Sequence, residues 1–277
     1  MPHRSTLVGS VRVVPLCDGY AAPPLADEVP GKPVDWEAER RSFPWAFSGE
    51  SDWAWHVHAF LLQTVDGLTL IDTGIGQLGR PPYDVVGRIE DELASIGVSR
   101  DDIRHVIHTH LHADHAGGAC RPDGGSRFPN AVHYVHPADW SFFARSADEQ
   151  DFEGRRAITV LEEQGRLDLD PDDREVAKGV RVVHTPGHTP GHRSVVLADG
   201  PTTLLLAGDL VHLPIQVAHP EWASSHDEDP GVGSETRTAI LNRALEKRWG
   251  LAVSHFGRPF GTVLRSGNAQ IWVTLPD

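Results

Sequence analysis

Cysteine is nearly missing from this 277-residue chain: Cys17 and Cys120 are the two present. That is too few for a disulfide framework and suits a reducing compartment. No apolar run approaches the roughly 20 residues that span a bilayer. Met1 to Ser10 lacks a basic stretch followed by an apolar run, so no signal peptide, no membrane association and a cytoplasmic location are expected. Repeats, low-complexity tracts and Gly/Ser linkers are also lacking, which makes one domain over 1–277 the simplest organisation. Positive charge is scarce: 25 Lys and Arg against 39 Asp and Glu give a formal charge of −14. Nucleic acid or an anionic membrane is a poor partner for such a chain, because both are polyanions. What the chain has in excess is histidine, 17 residues, together with 8 tryptophans. That histidine content puts metal chemistry first.

The hydrophobic pattern predicts strands over 11–16, 56–65 and 68–72, the last two joined by an Asp66-Gly67 turn. Further strands are expected at 103–108, 131–135, 179–184, 193–198, 202–207 and 251–254. Val85, Val86, Ile89, Leu93 and Ile96 recur at helical spacing over 83–96, with Gly97 closing the helix. Helices are also expected at 137–144, 153–164 and 234–248. Residues 20–55, rich in Pro and Trp, read as an irregular lid or substrate loop. Strands interleaved with helices indicate a layered α/β protein with two sheets and helices outside.

His110-Leu111-His112-Ala113-Asp114-His115 forms H-x-H-x-D-H directly after a predicted strand. At this content of His and Asp, chance predicts roughly 0.005 such matches. Neutral imidazoles with a carboxylate are good ligands for zinc, iron or manganese. His188 in TPGHTPGH, Asp209 in LLLAGD and His255 after LAVS each follow a predicted strand, where sites on layered α/β scaffolds gather. With the first motif they bring the candidate ligands to seven, His110, His112, Asp114, His115, His188, Asp209 and His255, enough for two ions.

Taken together, LTLIDTG at 68–74, GVSRDDIRHVIHTHLHADHAGG at 97–118, TPGHTPGH at 185–192 and AGD at 207–209 resemble the metallo-β-lactamase-fold hydrolases over nearly the whole chain. The resemblance implies a four-layer αββα sandwich and a dinuclear site. By motif, His110, His112 and His188 would bind one ion, Asp114, His115 and His255 the other, and Asp209 would bridge them. Zinc is expected, with manganese or iron as alternatives. Asp114 would also handle a proton. Asp72 in IDTG would either orient a ligand histidine or cap the turn at Gly74. His192 reads as structural. His56, His58, His105, His108, His133, His136 and His184 read as packed or exposed side chains, and Cys120 as a small buried residue. The acidic stretch DEDPG at 227–231 reads as a solvated loop.

Sites of this kind hydrolyse esters, lactones, thioesters, amides and phosphotriesters alike, so the ligands do not choose the substrate. AGDLVHLPIQVAHPEW at 207–222 resembles the branch with organophosphate-hydrolase-like and lactonase-like enzymes. Acyl-homoserine lactonases of this fold commonly carry Tyr three residues after the bridging Asp. His212 stands there, and its imidazole would hydrogen-bond a carbonyl or phosphoryl oxygen or else pack. Trp36, Trp45, Phe47, Trp53, Trp55 and Trp222 would line an apolar acyl or aromatic pocket, or fill the core beneath the loop. The expectation is a metal-dependent hydrolase, alone or as a homodimer, that opens a lactone or cleaves a carboxylic ester of a small molecule, with phosphotriesterase activity on the side. A thioesterase or β-lactamase-like amidase acting on a secondary-metabolite intermediate is the alternative, and a metal-dependent binding protein with an inactive site the non-enzymatic one. The lack of a basic groove argues against a nuclease. The lack of a flavodoxin-like stretch argues against a flavodiiron oxidoreductase, and the full second ligand set against a one-iron persulfide dioxygenase.

Overall fold

The computed structural model describes residues 5–76, 86–146, 152–267 and 269–276. One seven-stranded sheet runs in the order Thr6–Val8, Val11–Ala21, Trp55–Thr64, Gly67–Ile71, Ile103–Ile107, Val132–Val135 and Leu167–Leu169. Pairing is antiparallel as far as Gly67–Ile71 and parallel beyond it. The second seven-stranded sheet runs Glu175–Ala177, Val180–His184, Arg193–Asp199, Thr202–Leu206, Gly250–Ala252, Phe260–Ser266 and Ala269–Thr274. Its one parallel pair joins Thr202–Leu206 to Gly250–Ala252.

Strand periodicity explains the layering. Phe60 and Leu62 point one way and Leu61 between them the other, so both faces of the strand are buried. Val13, Phe60, Leu62 and Ile71 meet Val182, Val195, Leu197 and Leu206 in the core between the sheets. Outside the first sheet, Val14, Leu61, Leu70 and Val106 pack on Ile89 and Leu93 of the helix Ile89–Ser95. Outside the second, Leu205, Leu251 and Val263 pack on Leu241 and Ala244 of the helix Pro230–Lys247. Helix, sheet, sheet, helix is the expected αββα order.

Several expectations need correction. The helix expected over 83–96 is described from Ile89; residues 83–85 lie outside the described ones. Val86 is 59 % exposed, off the apolar stripe. The amide of Gly87 donates to Gly76 O at 2.6 Å and that of Arg88 to the Asp18 carboxylate at 2.6 Å, which keeps the chain out of helix until Ile89. Residues 20–55 are more regular than expected: they hold the helix Trp36–Ser42, capped by Asp35 accepting from Ala38 N, and a small hairpin of Phe47–Ser48 with Asp52–Trp53. The terminal hairpin Phe260–Ser266 with Ala269–Thr274 and the three-residue strands Leu167–Leu169 and Glu175–Ala177 escape the periodicity. Three residues are too few to display a period, and the hairpin is half exposed. Among the described residues no helix is long and apolar enough to cross a membrane.

Candidate metal centre

Every candidate ligand sits where a strand of one sheet or the other has just ended. His110 and His112 follow Ile103–Ile107, and Asp114 and His115 lie in the single helical turn Ala113–Ala116. His188 follows Val180–His184, Asp209 follows Thr202–Leu206, and His255 follows Gly250–Ala252. Two glycines allow the turns. Gly187 has φ +130°, and a Cβ there would lie 2.2 Å from the backbone of Gly233, so the TPGH turn can lie against the helix Pro230–Lys247. Gly208 has φ +57°, with His192 Nε2 only 2.7 Å from where a Cβ would stand. His192 donates nothing outward: its Nε2 accepts from Asp209 N at 3.0 Å, the structural part expected of it.

The side chains form two compact groups, each with its ligand atoms within 4.8 Å of one another. In the first, His112 Nδ1 lies 3.0 Å from His110 Nε2 and 3.0 Å from His188 Nε2. In the second, His115 Nε2 lies 3.2 Å from Asp114 Oδ2, and His255 Nε2 lies 3.5 Å from the same oxygen. Asp209 stands between them. Its Oδ1 is 3.1 Å from His115 Nε2, while its Oδ2 is 3.1 Å from His255 Nε2, 3.3 Å from His188 Nε2 and 3.8 Å from His110 Nε2. Ligands at zinc-nitrogen distances in a tetrahedron are about 3.4 Å apart, close to these spacings.

The residues fit divalent transition metals on a further observation. Asp209 Oδ1 and His115 Nε2 are buried and face each other without forming a hydrogen bond, an arrangement a shared cation would satisfy. The donor set of imidazole nitrogen and carboxylate oxygen, with no thiolate, suits zinc, manganese or iron. Burial removes water from His110 and His188 and holds both imidazoles neutral, their pKa values well below the ordinary histidine range. Burial disfavours charge on His115 and His255 too, yet Asp209 and Asp114 outweigh it and raise both. Burial would likewise raise the carboxyls of Asp114 and Asp209, but His115 and His255 hold them below the usual range.

The ring nitrogens turned away from the centre are anchored. His115 Nδ1 donates to Asp72 Oδ2 at 2.8 Å, and Asp72 also accepts from Thr109 N at 2.7 Å and Thr109 Oγ1 at 2.8 Å. Asp72 adopts φ +60°, an uncommon conformation for a non-glycine residue, to do so. Of its two expected uses, orientation of a histidine is the one its carboxylate serves. His110 Nδ1 donates to Thr109 Oγ1 at 3.1 Å, and His255 Nδ1 to His56 O at 2.7 Å. These bonds orient the rings so that the opposite nitrogens face the centre.

Two residues of this support escape a reading of the sequence. Asp227, expected in a solvated loop, is 7 % exposed. Its Oδ1 faces His188 Nδ1 at 3.4 Å and its Oδ2 pairs with Arg237 Nη2 at 2.8 Å. Arg237, 1 % exposed, also donates to the carbonyls of Leu210, Pro220 and Trp222. The signal was its register: Arg237 lies four and seven residues before the buried Leu241 and Ala244, on the stripe where a cation needs a partner.

His212 is brought to the centre. Its Nε2 lies 3.0 Å from Asp209 Oδ2, its ring is stacked on His255 with centroids 5.6 Å apart, and its Nδ1 is buried without a hydrogen-bond partner. Trp53 and Trp55 pack on His255 at 5.7 and 5.4 Å, and Trp53 also on His212 at 6.2 Å. Trp36 and Phe47 join Trp53 and Trp55 in one cluster with Leu25 and Leu213. Trp222 lies flat on His219. Trp45 is not brought to the site: it packs on Phe43 and Phe256, in the core outside the second sheet. Its neighbours Pro44 and Ala46 form a tight turn that directs the ring there.

Clustered histidines and carboxylates at the strand ends of an αββα sandwich make a site with the donor chemistry to hold divalent metal ions. Residues 52–253 match the profile of the metallo-beta-lactamase superfamily, and the chain belongs to that superfamily. An N-acyl homoserine lactonase from a Bacillus species is 31 % identical over 170 residues, 54 % of this chain and 62 % of that protein. The N-acyl homoserine lactonase of Bacillus cereus is 26 % identical over 201 residues, 66 % of this chain and 72 % of that protein. The match to the first therefore spans less than two thirds of its length. Among solved structures, the dizinc quorum-quenching lactonase AidC, in complex with a product, gives a TM-score of 0.88 at 21 % identity, covering 99 % of this chain and 98 % of that one. The hydrolase AbOPH of the beta lactamase superfamily gives 0.85 at 23 % identity, with 99 % and 98 % covered. At these identities the structural likeness speaks for the fold.

Proposed function

We propose that this chain is a single-domain, metal-dependent hydrolase that opens a lactone ring or cleaves a carboxylic ester of a small molecule. The observation that carries the reading is Asp209, whose carboxylate stands between two groups of imidazoles, Oδ1 against His115 and Oδ2 against both His255 and His188. His110, His112 and His188 hold one divalent ion and Asp114, His115 and His255 the other, with Asp209 between them and zinc the preferred metal. Ions held there supply an activated water and polarise the electrophilic oxygen. Asp114 is the more open of the two carboxylates, its side chain 19 % exposed against 4 % for Asp209. Its Oδ2 is therefore the site that accepts the nucleophile's proton and returns it to the leaving alkoxide. His212 Nε2 donates to Asp209 in the resting site, and a substrate oxygen arriving beside that carboxylate competes for the same N–H as charge develops on it. The half-buried Trp36–Phe47 pair offers apolar surface for an acyl group, with Trp53 and Trp55 buried behind it in the same cluster. The alignable relatives named above favour the lactone.

Purified protein loaded with zinc or manganese is tested on lactones with short and long acyl groups, aryl esters, phosphotriesters, acyl thioesters and a chromogenic cephalosporin. Ring opening, with at least two metal equivalents per chain by elemental analysis, is the expected result. Turnover of thioester or cephalosporin without lactone opening overturns the substrate class, and less than one equivalent of metal overturns the dinuclear reading.

A further inference from the structure

Cys17, His56 and His58 lie on neighbouring antiparallel strands, Val11–Ala21 and Trp55–Thr64, and none of them belongs to the ligand set described above. Cys17 stands opposite His58 in register, and a bulge between Cys17 and Gly19 shifts the pairing so that His56 stands opposite Tyr20. Because side chains two apart share a strand face, His56 and His58 lie side by side, their rings stacked with centroids 5.6 Å apart and planes 15° apart. Cys17 Sγ lies 3.5 Å from His56 Nδ1. His58 Nδ1 donates to Ser254 O at 2.9 Å, which makes its Nε2 the nitrogen carrying the lone pair. One ligand atom from each of the three residues lies within 4.8 Å of the others.

We infer that Cys17, His56 and His58 form an additional metal site, one that takes a borderline or soft cation such as Zn²⁺ or Cd²⁺ through a thiolate and two imidazoles. The chemistry favours capture. Burial pushes the Cys17 thiol up to about 11, so the resting group holds one thiol proton. A divalent cation replaces that proton: the S–H bond breaks, a metal–sulfur bond forms, and one proton goes to solvent. Thiolate and imidazole are the ligands that zinc and its heavier congeners prefer, and three protein ligands leave a position for water. Cys17 and His56 are half-buried, which gives the cation a way in. The site also has a structural link to the centre. His56 O accepts the Nδ1–H of His255, and His58 is tied to Ser254, so the occupied site braces the segment that carries His255.

The inference is independent of the hydrolase reading, because no candidate ligand of the main centre is a cysteine. A sulfur-to-metal charge-transfer absorption in the ultraviolet therefore reports this site alone. Metal-loaded protein freed of excess metal is titrated with Cd²⁺, and one equivalent is expected to produce the band with release of one proton. Cys17→Ala should abolish the band while the metal content of the main centre, read by elemental analysis, stays unchanged. Cys120→Ala should keep the band, since Cys120 is buried on the far side of that sheet against Ala157 O. Alkylation of Cys17 in the unaltered protein gives a reading that needs no variant. It should slow about tenfold when free Cd²⁺ stands at ten times its dissociation constant. Absence of the band, a band that persists in Cys17→Ala, or alkylation indifferent to Cd²⁺ each overturns the inference.

Discussion

Asp227→Asn tests how much of the centre depends on support from behind. The Asp227 carboxylate accepts from Arg237 Nη2 at 2.8 Å and Ser224 N at 3.0 Å, and faces His188 Nδ1 at 3.4 Å. Burial alone would raise its pKa, but the bond with His188 and the Arg237 charge bring it well below the ordinary carboxylate range. An amide in its place keeps the shape and loses the charge, leaving the Arg237 guanidinium buried without a counter-ion. Breaking a buried pair in this way costs about 3–5 kcal/mol. For a chain of this size that is a fall of roughly 10 °C in melting temperature. His188 loses the carboxylate that its Nδ1 faces at the same time, and such outer contacts are worth about 10–100-fold in metal affinity. Denaturant unfolding of the chelated protein measures the first effect, and competition with a chromophoric chelator the second. Arg237→Met and the double variant complete a cycle. If the ion pair is the interaction that matters, the double variant is less destabilised than the sum of the singles by more than about 0.5 kcal/mol. Additive effects, or an Asp227→Asn protein with unchanged unfolding and metal affinity, would refute the reasoning.

Chelation should lower the melting temperature and added zinc or manganese restore it, since the ligands come from the ends of four strands in two sheets; an unchanged curve for protein shown to be metal-free excludes that coupling. His212→Ala should keep its metals yet lose roughly 10²–10³ in turnover, with His212→Tyr recovering part of the loss on lactones. Metal lost from His212→Ala would make the residue a ligand, and full activity would make it packing. Asp139 accepts from Thr189 Oγ1 at 3.0 Å and Gly191 N at 2.6 Å, and burial pushes its carboxyl up to about 7. Its folded pKa lies above the unfolded value near 3.9, so the stability it contributes is full below about pH 4 and is lost as pH rises to about 7. The unfolding free energy of the unaltered protein should therefore decline relative to Asp139→Asn between those limits, and a constant difference excludes the assignment.

The main strands, and the candidate ligands that the structure brings together, could be read from sequence because the signal for each is local. H-x-H-x-D-H packs four donors into six consecutive residues, and the remaining donors stand directly behind apolar strands. What could not be read is what depends on distant partners. Asp227 looked solvated because its acidic neighbours are, and only the approach of the helix Pro230–Lys247 to the TPGH turn brings Arg237 and His188 to it. The helix Trp36–Ser42 was hidden by Pro and Trp around it, although Asp35 caps it and Glu37 pairs with Arg41 across one turn. Trp45 and Trp53, eight residues apart in similar surroundings, go to different clusters because the turn at 44–46 and the strand pair Phe47–Ser48 with Asp52–Trp53 turn them apart. Composition gives no view of such a divergence.

Charge balance explains why so many ionisable groups can be buried in one place. Asp209 and Asp114 lie among imidazoles, with Asp72 behind His115, and isolated carboxylates could not remain ionised there. The surrounding carboxylates raise the pKa values of His115 and His255 against the cost of burial. At His110 and His188 burial outweighs the pull of Asp209 and holds both well below the ordinary histidine range. The two imidazole groups thus differ in their surroundings: burial outweighs the carboxylates at His110 and His188, and the carboxylates outweigh burial at His115 and His255. That asymmetry follows from where Asp72 and Asp114 stand in the fold, one at the end of the strand Gly67–Ile71 and the other one turn beyond the first pair of histidines.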